Sequence, residues 1–187
     1  MDKVIVDETK VEEILSRGVE EIMVKKDMKE ALLSGKVLRI KLGIDPTGPK
    51  IHLGRAVALR KLREFQRLGH QVVFIVGDFT AQVGDASDKS DKRPMLTRSE
   101  IDENLKDYKN QISKILDLSK TEFVYNNDWL AKLTFGEIVK LAECFSVQQM
   151  LARRNFKERY DNGKEISLRE FLYPIMQGYD SVAVKAD

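Results

Sequence analysis

Between Val37 and Gly77 the apolar residues change period twice, and this pattern limits the possible folds more than any other stretch of the chain. Leu38, Ile40, Leu42 and Ile44 alternate with Val37, Arg39, Lys41 and Gly43, the two-residue period of a strand. The strand stops at Asp45-Pro-Thr-Gly-Pro49. From about Leu53 to Leu68 the spacing lengthens to that of a helix, with Ala58, Leu62 and Phe65 on its apolar stripe and Gly69 as its stop. Gln71-Val-Val-Phe-Ile-Val-Gly77 is then almost continuously apolar, as a strand covered on both faces would be. Strand, loop, helix and strand make a βαβ unit with a right-handed crossover, so the fold class is α/β with a parallel sheet.

The flanking segments fit around that unit. Thr9 to Ser34 reads as a helical preface, opened by a capping box at Thr9 and Glu12 and closed at Gly35, which sets residues 1–35 apart from a domain at 36–187. Gly77 to Pro94 is a polar loop of unusual length, and loops that long are usually functional. Thr97 and Glu100 form a second capping box ahead of one helix whose buried stripe is Ile101, Leu105, Tyr108, Ile112 and Ile115. Thr121 to Tyr125 is a third strand. A helical insertion at about 130–166 starts with Thr134 and Glu137 and includes a charged, hairpin-like stretch from Arg153 to the Asn162-Gly163 turn. A last helix follows, and Val182 to Val184 looks like the beginning of another strand, after which truncation is expected.

Composition excludes little. Lys and Arg number 32 against 30 Asp and Glu, a net charge of +2 that gives no global argument for nucleic acid or membrane. The single cysteine, Cys144, rules out an intrachain disulfide, suggests a reducing cytoplasmic compartment and reads as a small buried hydrophobe. No apolar run reaches membrane-spanning length, so no membrane partner is expected.

Two segments carry the chemistry. Gly43-Ile-Asp-Pro-Thr-Gly-Pro-Lys-Ile-His-Leu-Gly-Arg-Ala56 lies at the carboxyl end of a parallel strand and the amino end of a helix, where α/β proteins bind nucleotides. Gly54 allows close approach to the backbone, the helix terminus attracts phosphate, and His52 can donate to a phosphate oxygen. Taken alone, His52 could equally be an N-terminal cap. Neither a P-loop nor a Gly-x-Gly-x-x-Gly turn occurs. In the helix from Ser167 to Asp180, Tyr173, Gln177 and Asp180 share one face and Leu168, Phe171 and Ile175 the other, so a buried helix could still present a hydroxyl, an amide and a carboxylate to a small polar ligand. A solvated polar face would show the same spacing.

Here the chain resembles the tyrosyl-tRNA synthetases, the tyrosine-specific branch of the class I aminoacyl-tRNA synthetases. His52-Leu-Gly-Arg55 is similar to that class's His-x-Gly-His signature. Asp45-Pro-Thr47, Gly84-Asp-Ala-Ser-Asp-Lys89 and Gln177-Gly-Tyr-Asp180 stand in the family's order and spacing. The resemblance runs from Leu38 to the end and implies a Rossmann-like class I catalytic domain. It also implies that Asp85, Tyr173 and Gln177 hold the amino group of tyrosine and that Asp180 accepts a hydrogen bond from its phenol. Gly43, Asp45, Thr47, His52 and Gly54 would line the ATP side, and Lys89 and Arg93 would close over the pyrophosphate. Two positions depart from the pattern. Arg55 replaces the second histidine and could contact the nucleotide through a longer fork, while Lys41 stands where many members carry a phenol-contacting tyrosine. Either Asn126 or Asn127 is a further candidate for the amino acid site.

The resemblance implies a ligase that joins tyrosine to ATP, with Mg2+ accompanying the ATP and no tightly bound cofactor, and then transfers the tyrosyl group to tRNA(Tyr). His52, Lys89 and Arg93 would be the catalytic donors. Alternatives are a tryptophanyl-tRNA synthetase, another nucleotidyltransferase with the His-x-Gly-His architecture, or a non-catalytic dimerising fragment. The family's second, lysine-rich signature and its anticodon-reading domain are missing from the sequence, so the chain alone should activate tyrosine poorly. A homodimer would form through roughly Phe135 to Phe171, where Phe145, Val147, Met150, Leu151 and Phe156 supply apolar surface, unless these residues fill the monomer's own core.

Overall fold

The strand at Arg39–Ile44 (β1) runs parallel to Gln71–Val76 (β2), which runs parallel to Thr121–Tyr125 (β3), giving a sheet ordered β1-β2-β3 in a computed structural model that describes residues 3–83 and 96–187. Registers run from Arg39 opposite Gln71 to Ile44 opposite Val76, and from Val72 opposite Thr121 to Val76 opposite Tyr125. The helix Leu53–Arg67 (α3) connects β1 to β2. Two helices, Arg98–Leu105 (α5) and Tyr108–Ser113 (α6), precede β3.

The continuous apolar run of β2 is explained by burial on both faces. Val72, Phe74 and Val76 pack with Leu59 and Leu62 of α3 and with Tyr108, Ile112 and Leu116 of the second crossover. Val73 and Ile75 point the other way, against Val184 at the end of the last helix, Leu168–Ala183 (α11), and near Trp129 of the short helix Asn127–Leu130 (α7). Both crossovers therefore cover the same face, as two connections of one hand must when strands follow in sequence order. Between α7 and α11 lie Phe135–Glu143 (α8), Val147–Leu151 (α9) and Arg154–Asp161 (α10).

The chain start is built differently from the single helix expected. Glu8–Ser16 (α1) is capped by Asp7, whose carboxylate accepts from the Lys10 N–H at 3.1 Å. Lys25–Leu33 (α2) follows a turn in which Gly18 takes φ +64°. An Asp two residues before Thr9 serves as the cap, and a glycine in the left-handed region ends the first helix. The two helices bury Val11, Ile14, Leu15 and Leu32 against Leu38, Phe65 and Leu68.

Four other expectations are corrected. The helix after Thr97 is two helices broken at Lys106–Asp107, although its capping box forms as read. Arg153 to Lys164 is mostly helix α10, because Asn162-Gly163, with Gly163 at φ +64°, terminates a helix instead of turning a hairpin. Val182 and Ala183 complete α11, and backbone pairing with β1 comes at Asp187, whose N–H donates to the Arg39 carbonyl at 3.1 Å. Cys144 is exposed at the end of α8, since the apolar stretch around it is an outer helix. In the long loop, Thr80–Val83 forms a short helix (α4), and residues 84–94 of it fall outside the described residues. Among the described residues no helix is long and apolar enough to cross a membrane.

Candidate active site

A cleft of about 550 Å³ opens over the carboxyl end of β1, between the β1–α3 loop, α10 and α11. Gly43, Asp45, Thr47, His52, Gly54 and Arg55 line one side, and Tyr173 and Gln177 line the other. The fold thus brings eight of the candidate residues from two segments around one space. Asp85, Lys89 and Arg93 lie outside the described residues.

The loop is held from beneath by a row of side chains that the sequence did not reveal. Asn104 donates to the Pro46 carbonyl at 2.8 Å and Tyr108 to the Gly48 carbonyl at 3.1 Å. Gln111 spans two sites, donating to the Pro49 carbonyl and accepting from the Ile51 N–H, both at 2.8 Å. These residues are spaced four and three apart, so the two helices present them along one edge. Helical spacing of polar groups was the available signal, but Tyr108 alone was noticed, as a core residue. Its ring is buried, and its hydroxyl accepts from Arg55 at 2.8 Å. Burial raises the Tyr108 pKa, with Arg55 opposing, so the hydroxyl stays protonated and able to donate. Arg55 also donates to Thr47 Oγ1 at 2.9 Å. Its guanidinium pins the loop while remaining at the cleft wall.

His52 occupies the N-cap position of α3, yet its imidazole makes no capping hydrogen bond and is exposed to the cleft. A methyl group on Gly54 would come within 3.1 Å of that ring, so the glycine leaves it room. Gly43 shows a different use of a missing side chain. A Cβ there would make ordinary contact with Ile75, so the sheet does not require the glycine and its bareness widens the cleft.

Asp45 joins the two sides. Its Oδ1 accepts from Thr80 at 2.6 Å and its Oδ2 from the Tyr173 hydroxyl at 2.9 Å. Thr80 in turn accepts from Asn126 at 3.1 Å, and Asn126 also donates to Asp180 at 3.4 Å. This chain of polar groups passes close under Gly77, where a Cβ would lie 2.0 Å from Asp45 Oδ1 and 2.5 Å from Thr80 Oγ1.

Asp180 is placed differently from its two helix neighbours. It is 5% exposed and sits behind the cleft, with Trp129 Nε1 donating to it at 2.8 Å. Burial raises its pKa, and Trp129, Asn126 and Lys41 only partly offset that. A carboxylate offers about four acceptor positions, so both oxygens keep capacity for a further donor. Lys41 donates to the Gln177 carbonyl at 3.0 Å, and burial lowers its pKa against the pull of Asp180. Of the two neighbouring asparagines, Asn126 touches Asp180 with its side chain, whereas the Asn127 N–H donates to Asp78. Trp129 and Thr80 were missed because each contacts its carboxylate across a long sequence separation.

Residues 33–187 match the family described as tRNA synthetases class I, the W and Y group. The chain belongs to that family. It is 53% identical over 187 residues to the tyrosine–tRNA ligase of Carboxydothermus hydrogenoformans, covering 97% of this chain and 46% of that protein. Against the tyrosine–tRNA ligase of Moorella thermoacetica it is 51% identical over 178 residues, covering 93% and 43%. The chain therefore spans about half the length of these curated relatives. Among solved structures, the fold matches a C-terminally truncated mitochondrial tyrosyl-tRNA synthetase from Aspergillus nidulans with TM-score 0.72 at 23% identity, over 95% of this chain and 57% of that one. It matches the Archaeoglobus fulgidus tyrosyl-tRNA synthetase complexed with L-tyrosine with TM-score 0.72 at 21% identity, over 97% and 52%. The class I Rossmann-like α/β fold is thereby established.

In this synthetase domain the start of α11 carries its own brace. Glu170 accepts from the Ser167 N–H at 3.0 Å and pairs with the buried Arg159 of α10. Burial pushes the Glu170 pKa up, but Arg159 and Ser167 outweigh it and hold the carboxyl ionised below its usual range. Phe171 packs edge-on against Phe156 with centroids 4.9 Å apart, and Ile175 is buried. Leu168, expected on that buried face, is instead 80% exposed in the first turn of α11.

Proposed function

We propose that this chain is the amino-acid-binding and nucleotide-binding half of a tyrosine–tRNA ligase. The observation that carries this reading is the joining of two ligand surfaces through one carboxylate: Asp45 binds Tyr173 of α11 and Thr80, and Thr80 leads to Asn126 and the buried Asp180. Tyrosine would lie with its phenol toward Asp180 and its amino group toward Tyr173, Gln177 and Asp85. A phenylalanine in that pocket would leave Asp180 buried without the added donor, a costly state for a charge in a dry site.

ATP would lie across Gly43, Asp45, Thr47, His52, Gly54 and Arg55. The tyrosine carboxylate attacks the α-phosphorus, a bond forms to give tyrosyl-adenylate, and pyrophosphate leaves. The tyrosyl group then passes to the end of tRNA(Tyr). His52, free of capping duty, donates to phosphate as charge grows there, and Lys89 and Arg93 would be the further phosphate donors. Positioning and electrostatic stabilisation supply the rate, with no covalent enzyme intermediate. Mg2+ would accompany the ATP phosphates.

We also place the protein in the cytoplasm, consistent with an exposed free thiol at Cys144, and as a homodimer through α8 and α9. Phe135 is 82% exposed there, and Val139, Phe145 and Val147 are exposed beside it. Met150 and Phe156 are buried in the monomer and do not contribute. Calorimetric titration with L-tyrosine, L-phenylalanine and L-tryptophan tests the reading. Heat of binding with tyrosine alone supports it, and equal binding of all three, or of tryptophan alone, contradicts it.

A further inference from the structure

The chain as a whole is nearly neutral, yet one groove gathers five cationic side chains. Between α3 and the carboxyl ends of α1 and α6 lies a groove of about 580 Å³ walled by Arg17, Arg60, Arg63, Arg67 and Lys114, with Glu64 as its single lining carboxylate. Arg60, Arg63 and Arg67 follow one another at helical spacing on α3. Their rise of about 1.5 Å per residue carries them some 10 Å along the groove, a length that engages more than one phosphate. Arg17 caps the carboxyl end of α1 and Lys114 that of α6, so cations face inward from three elements.

Little of this charge is neutralised. Glu64 is already held by Lys61 at 2.8 Å, Arg17 shares Glu13 at 3.2 Å, and Arg63 reaches Gln66 at 3.2 Å and Asp117 at 4.0 Å. Arg60, Arg67 and Lys114 are exposed and have no ion-pair partner among the described residues. We propose that this groove seats the phosphodiester backbone of the tRNA. Guanidinium forks match phosphate oxygens two at a time, and such contacts position a nucleic acid without reading its sequence. The floor is Ala56 and part of Ile115, too small an apolar area for the buried centre of a protein interface, which disfavours an acidic protein as the occupant. The scattered basic residues of the sequence gave no sign of this, because Arg17 and Lys114 reach the α3 row only through the fold.

The inference rests on the ligase reading for the identity of the RNA, and its test keeps the two apart. Fluorescence anisotropy would follow labelled unfractionated tRNA binding to this chain across a series of salt concentrations. The variants are Arg60→Glu with Arg67→Glu, and a control of equal charge change, Lys26→Glu with Lys36→Glu, on the exposed surface around α2. The groove pair should weaken binding about tenfold at low salt and flatten the log–log salt slope by about two, roughly one for each lost phosphate contact. Equal losses in both pairs, no change in the groove pair, or no binding by the unaltered chain would each overturn the assignment. So would polyglutamate competing as well as tRNA, which would make the groove an acidic-peptide site. L-tyrosine titration of the same variants reports on the ligase reading: unchanged tyrosine binding with an unaffected tRNA slope removes the groove alone.

Discussion

The two sides of the cleft are supported in opposite ways. Around Asp180 the polar groups are buried and bond to one another, with Trp129, Asn126 and Thr80 fixed between the ends of β2, β3 and α11. The β1–α3 loop is exposed for much of its length, and side chains from α5 and α6 hold its backbone. The side proposed for the amino acid is thus part of the core, and the side proposed for the nucleotide is a clamped surface loop. A buried network loses most when one member is removed, whereas a clamp loses one bond at a time.

The largest effect should come from a change that strikes both sides at once. Gly77→Ala would place a methyl 2.0 Å from Asp45 Oδ1, so Asp45 and Thr80 must move. Denaturant melts should show a loss of about 3 kcal/mol, at the upper end for overpacked sites, and tyrosine binding should disappear. Unchanged stability would mean that the two sides are not joined there. Asp180→Asn should come next. It keeps the shape but removes the charged acceptor, so tyrosine affinity by calorimetry should fall by about 2 kcal/mol, or some thirtyfold, while the fold persists.

Gln111→Ala sharpens the contrast from the loop side. The Ile51 N–H would lose its acceptor, and its hydrogen exchange should quicken about fivefold, the worth of about 1 kcal/mol, with tyrosine affinity within about twofold of the original. A large loss of tyrosine binding would show that the loop is not separate. The smallest effect is in pH dependence. Burial raises the Asp180 pKa above its unfolded value, so its contribution to stability is greatest at acid pH and declines as pH rises from the usual carboxylate range through the raised one. The Glu170 pKa is depressed, so its contribution is present above the usual range and lost as pH falls through the lowered value. Melts across the acid range should lose the first slope in Asp180→Asn and keep the second. Tyrosine binding should weaken as pH falls through the raised Asp180 value, because the protonated group is the poorer acceptor.

The sheet was legible in the sequence because the alternation of β1 and the unbroken apolar run of β2 each have one structural reading. The Thr97 and Thr134 capping boxes were equally direct, since they are local chemistry. The site was half legible. Tyr173 and Gln177 follow from helical period, and His52 from its place after a strand, but period alone could not show that Asp180 turns into the core. Trp129 and Thr80 act across long sequence separations, and nothing local marks them; the Asn104–Tyr108–Gln111 row has helical spacing, but that spacing does not show what it faces. The preface was misread where two capping signals competed, Asp7 against Thr9, and sequence offered no measure of which the chain would use.

The most direct test of the difference between the two sides is residue-resolved hydrogen exchange on the chain without ligands. The N–H groups of Phe79, Asn126 and Asn127 donate to Asn126 Oδ1, the Val76 carbonyl and Asp78 at 3.0 to 3.1 Å within the core, and those of Thr47 and Ile51 donate within or beneath the loop. The first three should exchange only through global unfolding, tracking the denaturant-measured stability, and the latter two much faster through local opening. Equal protection at all five would contradict the account, because the β1–α3 loop would then be as much a part of the core as the network around Asp180.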